Sequence, residues 1–217
     1  MSKLKLTQTE IDGLVTVDRV LVNPTVCGVG CNDVQFQMNI DRKDIWQYKL
    51  WQNMLKRCFD AKYKQHRPTY RDVTCCDEWL SFANFFEWVN KEVGYKGKPV
   101  GSELDKDIIV KGNKTYSPEF CSFVPTAVNS LLTDSGATRG EFPVGVCFVK
   151  GRGKFKTRLN CFGMEKHLGY YTTIEDAVFA YKVAKEAQIK VVAMQYKDVL
   201  KPAVFESLMG WEINIDD

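Results

Sequence analysis

Apolar positions along the chain follow two different periods, and the changes between them mark the expected elements. Residues 44–59, DIWQYKLWQNMLKRCF, place Ile45, Tyr48, Trp51 (or Gln52) and Leu55 three to four apart, the stripe of an amphipathic helix with Asp44 as its cap. Residues 77–93, DEWLSFANFFEWVNKEV, repeat that period with Trp79, Phe82, Phe86 and Val89 on one face. Trp46, Trp51, Trp79 and Trp88 sit at these helical spacings and read as core. Residues 1–43 instead interleave short apolar runs with Pro24, Gly28 and Gly30, the mark of strands and turns.

Further along, Leu104–Val110 reads as a strand and Lys111-Gly112-Asn113-Lys114 as a hairpin-type turn. A second strand follows, then a helix over Thr126–Leu132. SGATRGEFP, 135–143, is small and polar, a candidate linker. Beyond it the period becomes two. PVGVCFV, KFKTRLNCF and HLGYY are three strands, and the second puts Lys154, Lys156 and Arg158 on one face and Phe155, Thr157 and Leu159 on the other. Thr172-x-x-Glu175 forms a capping box for the helix TIEDAVFAYKVAKEAQ. Its stripe of Ala177, Phe179, Ala180, Val183, Ala184 and Ala187 is expected to face the sheet. The expected class is α+β: a helix pair with a ββα module, then a three-stranded antiparallel sheet packed on one helix. The expected divisions are 1–43, 44–134 and 142–217.

Composition narrows the function classes. With 45% hydrophobic and 12% aromatic residues in 217, the chain can bury a core and is not a disordered tail. No apolar run approaches the roughly 18 residues of a membrane span, and MSKLKLTQTEIDG lacks a signal-peptide core. The expectation is a cytoplasmic protein with no membrane partner. Its eight Cys then read as free thiols, most of them small buried hydrophobes. Cys27-x3-Cys31 and adjacent Cys75-Cys76 do not match a zinc ribbon. A net charge of +3 says little, but 149–158, VKGRGKFKTR, carries five basic side chains and no acid.

Gly145-Val146, the basic strand 154–159, Leu168-Gly169-Tyr170-Tyr171, and Thr173 to Ala177 leading to Ala180-Tyr181 together resemble the Apetala-type (ethylene-response-factor-like) DNA-binding domain, over about residues 142–200. The resemblance implies strands that enter the major groove of double-stranded DNA, with one helix behind them. A β-ribbon fits that groove, and Lys150, Arg152, Lys154, Lys156 and Arg158 would reach phosphates and guanine edges. The plainer alternative is a solvated basic strand that discourages edge-to-edge aggregation.

Residues 44–133 resemble the HNH (ββα-metal) nucleases of phage, notably homing endonucleases in which an Apetala-type tail follows the nuclease. The resemblance rests on the tryptophan-rich helix pair, LDKD and NKTYSPEFCSFVPTAVN. It implies that Asp105 and Asn129 hold Mg²⁺ or another divalent metal. Lys106 stands where the family has its water-activating His, and Phe120 stands where an Asn orients that His. His66 and His167 both lie outside this segment.

A general base works best with a pKa near the working pH, as His has unperturbed. Lys106 would need its pKa lowered by about three units, and the flanking Asp105 and Asp107 push the other way. The catalytic set Asp105, Lys106 and Asn129 is therefore incomplete. Set against it, Asp105 and Asp107 could be plain strand-edge charges and Asn129 an exposed helix residue. The resemblance implies a phage-type DNA-binding protein, in the host cytosol, with impaired or lost cleavage. Alternatives are a metal-dependent nicking endonuclease using Lys106 or a metal-bound hydroxide, and a protein-interaction role on a host factor.

Overall fold

Thr7 accepts a hydrogen bond from the Glu10 amide while Glu10 caps Thr7 in return, and this reciprocal box opens a first short helix, α1 (Gln8–Asp12). The computed structural model describes residues 3–132 and 141–214, and the chain divides into two compact units, Met1–Phe123 and Val124–Asp217. The boundary falls inside the segment expected to form the ββα module. Residues 133–140, most of the expected linker, lie outside the described residues.

In the first unit α1 is followed by an antiparallel pair, β1 (Asn39–Ile40) and β2 (Lys43–Asp44), then α2 (Trp46–Phe59), α3 (Ala61–His66), β3 (Thr74–Cys75) and α4 (Phe82–Glu92). β4 (Ser102–Asp105) and β5 (Thr115–Tyr116) follow, and β6 (Ser122–Pro125) runs across the boundary at Phe123. One core runs through Ile11, Val34, Phe36, Trp51, Leu55, Trp79, Phe82, Phe85 and Phe86. The N-terminal segment and the helix pair therefore share their interior. Burying each such aromatic contributes about 1.5–3 kcal/mol, and the Trp79 and Phe85 rings meet edge to face at 5.0 Å.

Several local expectations are corrected. Residues 1–43 contain a helix as well as bridges and turns; its cap, Thr7-x-x-Glu10, is visible in the sequence. Asp44 belongs to β2, and α2 starts at Trp46 with Ile45 at the N-cap, which offers no side-chain hydrogen bond. Residues 77–80 form a 3-10 turn, so α4 begins only at Phe82. Its N-terminus is held by Ser81, which accepts from the Asn84 amide, and by distant Asp33, which accepts from the Ala83 amide at 2.9 Å. That places a negative charge where a helix start favours one.

The expected strand over 104–110 stops at Asp105. Its Oδ1 accepts the amides of Asp107 and Ile108 at 2.9 and 2.7 Å, bending the chain out of the ladder. Consequently 111–114 does not join a hairpin. β5 pairs in parallel with β3, Cys75 opposite Tyr116, whereas β4 pairs with β6.

The second unit contains α5 (Thr126–Leu132), β7 (Val146–Val149), β8 (Lys154–Cys161), β9 (Met164–Tyr171), α6 (Ile174–Gln195) and α7 (Pro202–Met209). β7, β8 and β9 form an antiparallel sheet with β8 in the middle, packed against α6. The chain is thus α+β, as expected. Gly145 precedes β7 at φ 77°, and a Cβ there would lie 2.3 Å from the Tyr181 ring, so only glycine fits between strand and helix. β8 and β9 lose register once: Thr157 faces Gly169 but Arg158 faces His167, leaving Leu168 as the extra residue of a bulge.

Two helix expectations change. Thr173, not Thr172, caps α6, accepting from the Asp176 amide. The buried side of α6 is Ala177, Val178, Gln188, Ile189, Val192 and Ala193, while Phe179, Val183 and Ala187 face solvent. α6 is apolar nearly all round, so the sequence stripe did not single out the buried side. Among the described residues, no helix is long and apolar enough to cross a membrane.

Candidate nucleic-acid interface

Burial alternates along most of β8: Phe155 and Lys156 are both half-buried, Thr157 and Leu159 are buried, and Lys154, Arg158 and Asn160 are exposed. Thr157 also donates its hydroxyl to the Ala177 carbonyl on α6 at 3.2 Å, which fixes the strand's inner side to the helix. The outer side is left free for Lys154, Lys156, Arg158 and Asn160. Lys154 to Arg158 spans roughly 13 Å at 3.3 Å per residue, comparable with a major groove about 12 Å wide.

Lys150 and Arg152 do not lie on a strand. They occupy a 3-10 turn between β7 and β8, closed by Gly153 in the left-handed region at φ 60°. The turn brings Arg152 over the Tyr170 ring, 4.6 Å from its centroid, and Tyr170 leans on His167 with centroids 4.9 Å apart. Cross-strand pairing of Lys156 with Tyr170 and of Arg158 with His167 puts all of these on one face. Sequence reading missed Tyr170 and His167 as members; the signal was present only in the strand register.

An acid also enters this face. Glu165 accepts from Arg158 Nη1 at 2.8 Å and sits 3.5 Å from Lys156 Nζ. Burial opposes ionisation slightly, but Arg158 and Lys156 hold the carboxyl below its ordinary range. The run 149–158 is acid-free in sequence, but in space it is not.

The second group of expected site residues is divided between the two units. Lys106 is buried, with Nζ 2.9 Å from Asp107 Oδ2 and 3.2 Å from the Asn113 carbonyl, and it lies 5.9 Å from the Tyr116 ring centroid. Asn113 returns two hydrogen bonds of 2.7 Å from its amide nitrogen, to the Lys106 and Thr115 carbonyls. Asp105 spends Oδ1 on its own turn, and its carboxyl is pushed up to about 6 by burial and by neighbouring Asp107. Asn129 lies on α5 in the other unit. Phe120 is half-buried and follows the turn at Ser117, and His66 is exposed at the end of α3 with Nδ1 2.8 Å from the Lys62 carbonyl.

A lysine held this way is a poor general base, because its ammonium is already committed to a carboxylate and a carbonyl. Among the described residues no group of three or more His, Cys, Asp or Glu is placed to hold a metal ion. All eight cysteines are free of disulfides. The Cys75 thiol is pushed far up by its hydrogen bond to Cys58 and by burial, so it is not a reactive thiolate. Comparisons with family models, with curated proteins and with solved structures return no match to this chain.

Proposed function

We propose that this chain is a cytoplasmic, phage-type double-stranded DNA-binding protein that reads the duplex through the outer face of β7–β9 and has lost or impaired cleavage. The observation that carries the reading is the alternation on β8, with Lys154, Lys156 and Arg158 outward and Thr157 and Leu159 fixed to the helix behind. Lys150 and Arg152 extend the basic row at the turn, and the Arg152–Tyr170–His167 stack supplies flat surfaces beside it. The resemblances to the Apetala-type domain and to HNH homing endonucleases point the same way. The commitment of Lys106 to Asp107 supports loss of the chemical step over the nicking alternative.

The test is binding of the full chain to duplex DNA across a salt series. Affinity should fall steeply with salt, since each neutralised phosphate releases about 0.9 counterion. Lys154, Lys156 and Arg158 changed together to Ala should weaken binding and flatten the slope with little change in melting temperature. Leu159→Ala should cost about 2–5 kcal/mol of stability instead. Salt-independent binding, or a triple variant that binds as well as the parent, refutes the reading. Supercoiled-plasmid nicking with Mg²⁺ or Mn²⁺, abolished by Asp105→Ala, would replace it by the nuclease alternative.

A further inference from the structure

α6 is 22 residues long, roughly 33 Å at 1.5 Å per residue; the sheet, α5 and α7 pack against it and leave one strip of its surface exposed. A helix that is apolar all round is normally covered all round. Here Phe179, Val183, Val191 and Met194 are each more than half exposed, and Ala187 between them is exposed as well. Along one edge this strip is bounded by the C-terminal segment, where Lys182 donates to the Ile213 carbonyl and Glu186 accepts from the Ile213 amide.

The ends of the strip carry opposite charge. Exposed Glu175 and Asp176 stand at the N-terminal end, and exposed Lys190 and Lys197, with Asp198 beside the second, stand at and just beyond the C-terminal end. Near that basic end, Lys190, Val191, Met194 and Gln195 line a shallow hollow. These features are complementary to themselves when the helix is reversed. A two-fold axis between Glu186 and Ala187 sets Asp176 against Lys197, Phe179 against Met194, and Val183 against Lys190 of a second copy, each contact made twice.

Phe179 then lies against Met194, where a sulfur–aromatic contact adds to burial. The small side chain of Ala187 at the crossing point lets the two backbones approach closely. Lys190 covers Val183 with its aliphatic stem and keeps its ammonium wet.

We infer that the outer face of α6 is a self-association surface, on which a second copy of this chain packs its own α6 antiparallel in a two-fold dimer. The occupant follows from the charge order, which sets Asp176 against Lys197 in a reversed copy and like charges against each other in a parallel one.

Sedimentation of the full chain without DNA tests this separately from the DNA-binding reading. The wild type should sediment as a dimer, and Val183→Glu as a monomer with an unchanged circular-dichroism spectrum, since Val183 is already exposed; its melting temperature should no longer depend on protein concentration. Asp176→Lys and Lys197→Asp should each weaken the dimer, and an equimolar mixture of the two variants should recover it as a heterodimer, because both end pairs are then of opposite sign. A wild type that is monomeric at high micromolar concentration overturns the inference, as does a dimer indifferent to Val183→Glu. A dimer that loses nothing with either charge variant overturns the antiparallel arrangement. DNA binding retained by monomeric Val183→Glu leaves the earlier reading intact; its loss in a protein that still dimerises would count against that reading alone.

Discussion

Arg158 reaches diagonally from β8 to Glu165 on β9, guanidinium to carboxylate at 2.8 Å, and the same carboxylate stands 3.5 Å from Lys156. Both bases are on the face proposed to meet DNA, so a phosphate approaching them competes with an acid already in place. Glu165→Gln removes the competing charge but keeps an acceptor. The expected result is tighter binding to duplex DNA, with a salt slope steeper by on the order of one. Fluorescence anisotropy across a salt series reads both quantities. Unchanged affinity would mean that Arg158 and Lys156 do not meet phosphate.

Asp105 gives the first unit a pH dependence. In the unfolded chain its carboxyl loses its proton near the ordinary 3.8, but in the folded chain burial and Asp107 delay this to about 6. Between those values the folded state holds the extra proton, so the contribution of this group to stability falls as pH rises from about 4 to about 6. Asp105→Asn keeps the acceptor for the Asp107 and Ile108 amides and removes the ionisation. It should stabilise the protein at pH 7.5 by about 1–3 kcal/mol and do little at pH 3.5. Urea unfolding at the two pH values measures the difference, and equal effects at both would sink the assignment.

Gln47 and Asn90 are both fully buried polar side chains, joined by a 3.0 Å hydrogen bond. Gln47 also donates to Asp12, and Asn90 donates to the carbonyls of Ile11 and Leu14. Asn90→Leu leaves those carbonyls and the Gln47 amide without their partner in a site that excludes water. The expected loss is about 2–4 kcal/mol, from one to three unsatisfied buried groups. Thermal unfolding monitored by tryptophan fluorescence should show it, and a change within experimental error would mean that the network adds nothing.

How far the sequence could be read depended on how local each cause was. The three tail strands and the helix over 126–132 were legible, because alternation, glycine turns and a proline boundary lie within a few residues of the elements they define. The stop at Asp105 was harder to read. An Asp inside an apolar run looks like a strand residue until its carboxylate folds back on two amides. Cross-strand membership was not legible at all: Glu165, His167 and Tyr170 join the basic face through a register that includes a bulge at Leu168. The outward side of α6 was misread for a third reason, since a helix apolar on every side has no unique stripe.

In the second unit α6 packs on the sheet with α5 and α7 beside it, and its exposed strip lies away from the outward basic side chains of β8. Sheet and helix layers are about 10 Å apart, so a copy seated on α6 makes a four-layer stack with its two charged sheets looking in opposite directions. Helix-turn-helix dimers present both reading heads to one duplex, at half-sites a helical turn apart. A back-to-back pair cannot do this. On the proposed DNA-binding and dimer readings, such a pair holds two separate stretches of double helix, one on each outer surface, and so acts as a tether with no requirement for a palindromic site.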